Sequence, residues 1–327
     1  MKMSYWKSPL FACCCLLLGA CSATLPVNGP FPSKTYDFDL GKDAQEWRRS
    51  ALVHLPPDLN KRSRPLVVVL HGAFSSGEEM EKETGFSRLA DREGFIVAYP
   101  QGIGIFGFLQ HWNAGFCCGR AEDKNWDDVG TILRLLDDLE HRLPVDRTRI
   151  YLVGMSNGGM LAYRLAAEHP ELFAALAVMS GAIGSSEGGK IRWQLPQPAQ
   201  PVPALILHGR DDRNIPYAGG VSPKKDGDRS YSSVVDAVNF WLDADGCDKT
   251  PSWVSGEARG IEEASWNDCR AGTVVARIAL SGWGHVWPGP QATASLPAAN
   301  PLRNFDAATR CWNFLRRFSL PEVPNHR

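Results

Sequence analysis

Arg149-Ile150-Tyr151-Leu152-Val153-Gly154-Met155-Ser156-Asn157-Gly158-Gly159-Met160 sets a serine between two glycines at a change of secondary structure. The apolar, β-branched run before it has the make-up of a buried strand, and Met160 to Ala167 has helical spacing that ends near His169-Pro170. A serine on such a strand-to-helix turn sits in a strained conformation, and large neighbours would block the strand and helix it joins. Gly154 and Gly158 meet that demand, and the segment reads as a nucleophile elbow.

Around the elbow the chain alternates strand-like and helical stretches. Leu66 to Leu70 and Gly94 to Pro100 are continuous apolar runs of the kind found in central parallel strands covered on both faces. Further strand-like runs lie at Ile150 to Val153, Ala174 to Met179, Ala204 to Leu207 and Val274 to Leu280. Helical spacing recurs from Asp127 to Leu143, Val234 to Leu242 and Ala307 to Phe318, with Asp128 read as a helix cap. Lys34 to about Lys61, with Pro56-Pro57, suits antiparallel edge strands. The pattern predicts an α/β fold, a mostly parallel sheet with helices on both faces. Ser185 to Gly189 and Pro196 to Pro203 read as insertions that could border a cleft.

The chain has 327 residues, 44% of them hydrophobic, and a formal charge of -1. That size suits one large core. The charge offers no basic surface for nucleic acid. Lys2 and Lys7 precede an apolar stretch from Leu10 to Leu18, too short to span a bilayer but right for a signal-peptide core. Leu18-Gly19-Ala20-Cys21 resembles the lipobox of bacterial lipoproteins, which makes Cys21 the expected lipid attachment point; ordinary secretion with cleavage after Ala23 is the alternative. The expected organisation is a signal peptide over 1–20, a linker over 21–33 and one catalytic domain over 34–327. The expected location is the cell envelope, the periplasm or outside the cell, with membrane contact only through the lipid.

Of nine cysteines, Cys13, Cys14, Cys15 and Cys21 belong to the signal and anchor, which leaves Cys117, Cys118, Cys247, Cys269 and Cys311. An oxidising compartment favours disulfides, and Cys247 with Cys269 is the preferred bridge. The pairing of the other three stays open. No CxxC or HxxxH partner supports a metal role for Cys117-Cys118, and no metal is expected.

A serine hydroxyl needs a histidine to take its proton and a carboxylate to orient that histidine. After the strand ending at Leu207 comes His208-Gly209-Arg210-Asp211-Asp212-Arg213-Asn214-Ile215-Pro216-Tyr217, at the end of a sheet strand where active sites lie. Asp212 is the preferred acid because the loop resembles the HGxxDxxVP loop of many hydrolases; Asp211 is the alternative. His285, in Ser281-Gly282-Trp283-Gly284-His285-Val286-Trp287-Pro288-Gly289, follows the strand from Val274 to Leu280. The order serine, acid, histidine is the one this fold class uses. Backbone amides must hold the oxyanion: Asn157, directly after the serine, and one from the loop after His71-Gly72, with Ala73 preferred and Phe74 the alternative. His71 and His208 read as braces for these loops.

His71-Gly72, Tyr99-Pro100-Gln101-Gly102, Trp112-Asn113-Ala114-Gly115, the Ser156 and Asp212 segments and Gly284-His285-Val286-Trp287-Pro288-Gly289 together resemble the polyhydroxybutyrate-depolymerase-like esterases. These are related to the feruloyl and acetylxylan esterases of carbohydrate esterase family 1. The resemblance covers roughly Ser50 to Phe318 and implies an α/β-hydrolase fold, no cofactor, and ester hydrolysis through Ser156, Asp212 and His285. Arg210, Trp283 and Trp126 depart from the family pattern, which bears on specificity. Trp112, Trp283 and Trp287 are candidates for stacking an aromatic acyl group or a sugar ring. The expected substrates are feruloyl or short-acyl carbohydrate esters, with polyhydroxybutyrate second, since a polymer depolymerase is expected to carry a binding module and none fits between Phe318 and Arg327. A non-catalytic glycan- or polyester-binding surface lipoprotein is the reading from another class.

Overall fold

The computed structural model describes residues 34–59, 62–105, 108–224, 228–253 and 260–322. The expected signal peptide, the linker and Cys21 lie outside the described residues. Strands β1 (Lys34–Lys42), β2 (Arg48–Leu55) and β3 (Arg64–Leu70) lead into helices α1 (Gly77–Thr84) and α2 (Phe86–Glu93). Strand β4 (Ile96–Pro100) and the hairpin of β5 (Ile103–Ile105) and β6 (Phe108–His111) precede α3 (Gly119–Asp123) and α4 (Asp128–Arg142). Next come β7 (Val145–Met155), α5 (Ser156–Glu168), β8 (Ala175–Met179), β9 (Gly184–Glu187), β10 (Lys190–Gln194) and β11 (Ala204–Gly209). Short strands β12 (Gly220–Val221) and β13 (Ser230–Tyr231) lead to α6 (Val234–Asp245). The chain closes with β14 (Ser252–Trp253), β15 (Ile261–Trp266), β16 (Val275–Leu280), α7 (Pro290–Ala294) and α8 (Ala307–Leu315).

Ten strands make one sheet in the order β1-β2-β4-β3-β7-β8-β11-β16-β15-β14. From β4 to β16 every neighbouring pair is parallel, while the pairs at both margins are antiparallel. Every residue of β3, β4 and β8 is buried, which is why these strands read as unbroken apolar runs rather than as alternation. Two hydrophobic clusters cover the sheet: α4, α5 and α6 supply one, and α1, α2 and α8 the other. This is the α/β-hydrolase fold. A second sheet, β10-β9-β13-β12, is built from segments after β8 and β11, and includes most of the Ser185 to Gly189 stretch read as an insertion.

Cys247 and Cys269 form a disulfide behind α6. Cys117 pairs with its neighbour Cys118, and Cys311 is a free, buried thiol on α8.

Asp128 differs from its reading as a cap. Asp127 caps α4, its side chain accepting from Gly130 N–H, and Asp128 turns inward. There its carboxylate accepts from Arg49 at 2.8 Å and from the Asn113 backbone N–H at 2.6 Å. Arg49 also donates to Asp43 at 2.7 Å, and its own side chain has no solvent exposure. A charged first-turn residue serves a helix N-terminus equally well by sequence pattern, so only the three-dimensional position of Arg49 separates the two roles. Removing one partner from a buried ion pair leaves uncompensated charge. Arg49→Ala is expected to lower unfolding free energy by about 3 to 5 kcal/mol in urea titrations. Asp128→Asn in the same chain is expected to return part of that loss, because the side-chain oxygen still accepts from Asn113 without carrying charge.

Candidate active site

The geometry of the elbow explains its glycines. Ser156 is the first residue of α5 and has φ +53°, a left-handed conformation unusual for a residue with a side chain. A Cβ on Gly154 would lie 2.4 Å from the Gly158 carbonyl oxygen, and one on Gly158 would lie 2.3 Å from the carbonyls of Leu70 and His71. Strand β7, helix α5 and the end of β3 therefore pack at a distance that excludes any other residue at these two positions.

Ser156 Oγ lies 2.8 Å from His285 Nε2, and His285 Nδ1 lies 2.7 Å from Asp212 Oδ2. A carboxylate only accepts, so Nδ1 carries the hydrogen and Nε2 is left to accept from the serine hydroxyl. Asp212 is fully buried at the carboxyl end of β11, its other oxygen accepting from the N–H groups of Asn214 and Ile215 at 2.8 and 2.9 Å. Burial alone would raise its pKa. The hydrogen bonds from His208, His285 and the Ile215 N–H outweigh that and hold the carboxyl well below the usual range. Asp211 points the other way, accepting from Gly282 N–H at 2.6 Å and so pinning the loop that carries His285. Of the two neighbouring aspartates, Asp212 thus meets the histidine and Asp211 secures its loop. His208 braces the same turn, donating from Nε2 to the Ile215 carbonyl at 2.9 Å.

Two backbone N–H groups near the serine are candidates for holding an oxyanion. The Asn157 N–H belongs to the first turn of α5, where amides have no intrahelical acceptor and the helix dipole favours negative charge. The second comes from the loop after β3, which passes directly beside the serine: a Cβ on Gly72 would be 3.5 Å from Ser156 Cβ. In that loop the Phe74 N–H is spent on the Gln110 carbonyl at 2.8 Å, whereas the Ala73 N–H has no partner among the described residues. The free N–H favours Ala73, the preferred candidate, over its alternative Phe74.

Several buried hydrogen bonds hold these donors in place. The Asn157 side chain accepts from Trp112 N–H at 2.8 Å and donates to the carbonyls of Trp112 and Cys117 at 2.9 and 3.3 Å. The Trp112 indole donates to the His71 carbonyl at 2.9 Å. His71 Nε2 accepts from Gly102 N–H at 3.0 Å, and its Nδ1 donates to the Gly72 carbonyl at 2.7 Å.

The three tryptophans expected to stack substrate do not line the cleft. Trp112 is wholly buried as a brace, Trp283 donates to the Val286 carbonyl, and Trp287 packs on Phe86 in the core. Each has a large apolar surface, and its stabilisation on burial exceeds what an exposed loop position would give. Arg210, a departure from the family pattern, pairs with Glu262 and lies over the Tyr217 ring. Beside Ala73 a cleft of about 480 Å³ opens, lined by Phe74, His111, the Cys117-Cys118 pair, Arg229 and Tyr231. Apart from Phe74, named only for its backbone amide, none of these residues was given a role by the sequence. The adjacent cysteines were the one available signal, and they carry no information about which cavity they face.

The neutral form of His71 is required by its contacts, since a second ring N–H would confront the Gly102 N–H. Burial pushes its pKa down to about 4, against about 6.5 in an unfolded chain. Between those values the unfolded chain takes up a proton that the native one refuses, so this contribution is complete above pH 6.5 and is lost as pH falls towards 4. Urea midpoints at pH 7.5 and 4.5 are expected to show His71→Gln escaping about 2 to 3 kcal/mol of the wild-type acid destabilisation. Equal losses in both proteins would contradict this.

Comparison with known proteins agrees with the fold. The family described as "Esterase PHB depolymerase" matches residues 49–191. The Nocardia uniformis subsp. tsuyamanensis protein NocK, which carries the name of an esterase, is 32% identical over 69% of this chain and 66% of its own length. Feruloyl esterase B of Piromyces equi is 25% identical over 84% of this chain and 46% of its own length. The chain thus spans less than two thirds of these relatives. Among solved structures, an acetyl xylan esterase from Aspergillus awamori superposes with TM-score 0.55 at 16% identity, over 78% of this chain and 94% of that one, a likeness of fold. Residues 49–191 thus carry the sequence pattern of the PHB-depolymerase esterases, set within an α/β-hydrolase fold.

Proposed function

We propose that the protein is a serine carboxylic-ester hydrolase in which Ser156 is the nucleophile, His285 the general base and then acid, and Asp212 the residue that orients it. The observation that carries this reading is the unbroken line Ser156 Oγ, His285 Nε2, Nδ1, Asp212 Oδ2, with contacts of 2.8 and 2.7 Å. As Oγ attacks the ester carbonyl, its proton passes to Nε2, and the buried Asp212 carboxylate stabilises the imidazolium that forms. The tetrahedral oxygen takes hydrogen bonds from the N–H groups of Asn157 and Ala73. Collapse returns the proton to the departing alcohol and leaves an acyl-enzyme. Water, activated by the same histidine, then releases the acid.

The substrate reading is a feruloyl or short-acyl ester of a carbohydrate. It draws on the relatives named as feruloyl esterase and on a cleft large enough for an aryl group. A polyester remains the second reading, favoured by the exposed side chains of Phe74, which lines that cleft, and of Phe108 and Leu109 on β6. We further propose that the chain is exported with Cys21 as a lipidated mature N-terminus, which the Cys247–Cys269 disulfide supports.

Ser156→Ala is expected to abolish turnover of p-nitrophenyl acetate and methyl ferulate, and Asp212→Asn to lower kcat by about 10⁴-fold, because the amide favours the wrong tautomer. Rates equal to wild type in Ser156→Ala would overturn the assignment. Mass spectrometry of the mature N-terminus is expected to find a lipidated Cys21, and an unmodified start elsewhere would overturn that part alone.

A further inference from the structure

A second cavity, of about 430 Å³, shares Tyr231 with the cleft beside Ala73 but is otherwise separate from it. Its walls come from β9, β10 and β13 of the small sheet and from one face of α6. Nothing in the proposed reaction uses it.

The chemistry of its lining is specific. Ser185 Oγ is buried there without any hydrogen-bond partner. The side-chain amides of Gln194, Gln197 and Asn239 also reach the cavity and make no hydrogen bond among the described residues. Two carboxylates are present, and both are committed: Asp236 accepts from the N–H and O–H of Ser233 at 2.7 and 2.8 Å, and Asp243 pairs with Lys249. No lysine or arginine is among the described residues that line it. Apolar surface comes from Phe240, from Ile191 and from Trp193, whose ring is fixed by stacking on Phe116 at 5.2 Å and 18°.

A ligand for such a site must be uncharged, because no free charge awaits it, and must both donate and accept hydrogen bonds. It must also offer an apolar face to the tryptophan wall. A purely apolar guest would leave Ser185 Oγ unpaired. A pyranose or furanose residue meets all three conditions, with C–H groups on its faces and hydroxyls around its rim.

We propose that this cavity is a subsite for a neutral sugar residue of the polysaccharide whose ester group is presented to Ser156. The proposal rests on the reading of the protein as a carbohydrate-ester hydrolase. Tyr231, common to both cavities, makes the sugar site a direct neighbour of the cleft, so one glycan chain can occupy the subsite while its ester lies against Ala73.

The test is isothermal titration calorimetry of the Ser156→Ala protein with xylohexaose, cellohexaose and mannohexaose. Saturable binding of at least one is expected, weakened roughly five- to tenfold by Asn239→Ala and by Ser185→Val, since each removes one neutral hydrogen bond. Thermal unfolding establishes that the variants fold. Absence of saturable binding by all three sugars up to about 10 mM would overturn the proposal, as would binding that both substitutions leave unchanged in folded protein. Because the measurement uses a protein without its serine, its outcome is independent of p-nitrophenyl acetate turnover by wild type, which tests the esterase reading alone.

Discussion

The close approach of three backbone segments at Ser156 is the constraint on which the rest of the molecule depends. Strand β7 ends, α5 begins and the end of β3 crosses them, all within distances at which a Cβ on Gly154 or Gly158 would collide with carbonyl oxygens. The left-handed φ of Ser156 is unfavourable by itself and is held by this packing. Its result is chemical. The serine opens α5, whose first amides have no intrahelical acceptor, and the loop after β3 lies alongside it.

Around that point the parallel sheet acts as a frame. Strands β3, β7, β11 and β16 all end at the same margin, and each delivers one part of the site: Ala73, Ser156, Asp212 and His285. What fixes these parts to within hydrogen-bonding distance is a set of buried polar contacts between loops. Asn157 ties the Trp112–Cys117 loop to the elbow, Trp112 ties that loop to His71, and Asp211 ties the acid loop to the histidine loop. Arg49 anchors the arrangement from β2 through Asp128, whose second oxygen holds Asn113. Such contacts contribute little net stability singly, but each would be costly to leave unmade, which is what makes the arrangement specific.

The parts of this arrangement that depend on local sequence were legible in advance. Apolar runs marked the central strands, helical spacing marked α4, α5 and α6, and the residue order Ser156, Asp212, His285 followed from the loops after β7, β11 and β16. What escaped depended on long-range position. Burial of Trp112, Trp283 and Trp287 cannot be told from exposure by residue type, and tryptophan suits either. Asp128 looked like a cap because its partner Arg49 lies 79 positions away in the chain. The small sheet that pairs β9 with β13 joins segments separated in the chain by β10, β11 and β12, and its short strands carry almost no periodicity to announce them.

The central claim is that Ser156 is an activated nucleophile whose reactivity is created by His285. Diethyl p-nitrophenyl phosphate, which phosphorylates a serine activated in this way and releases p-nitrophenol, tests it directly when followed by peptide mass spectrometry. Diethylphosphorylation of the peptide containing Ser156 in the wild-type protein, and its loss in His285→Ala, is the predicted result. An unlabelled Ser156, or labelling undiminished without the histidine, would contradict the account.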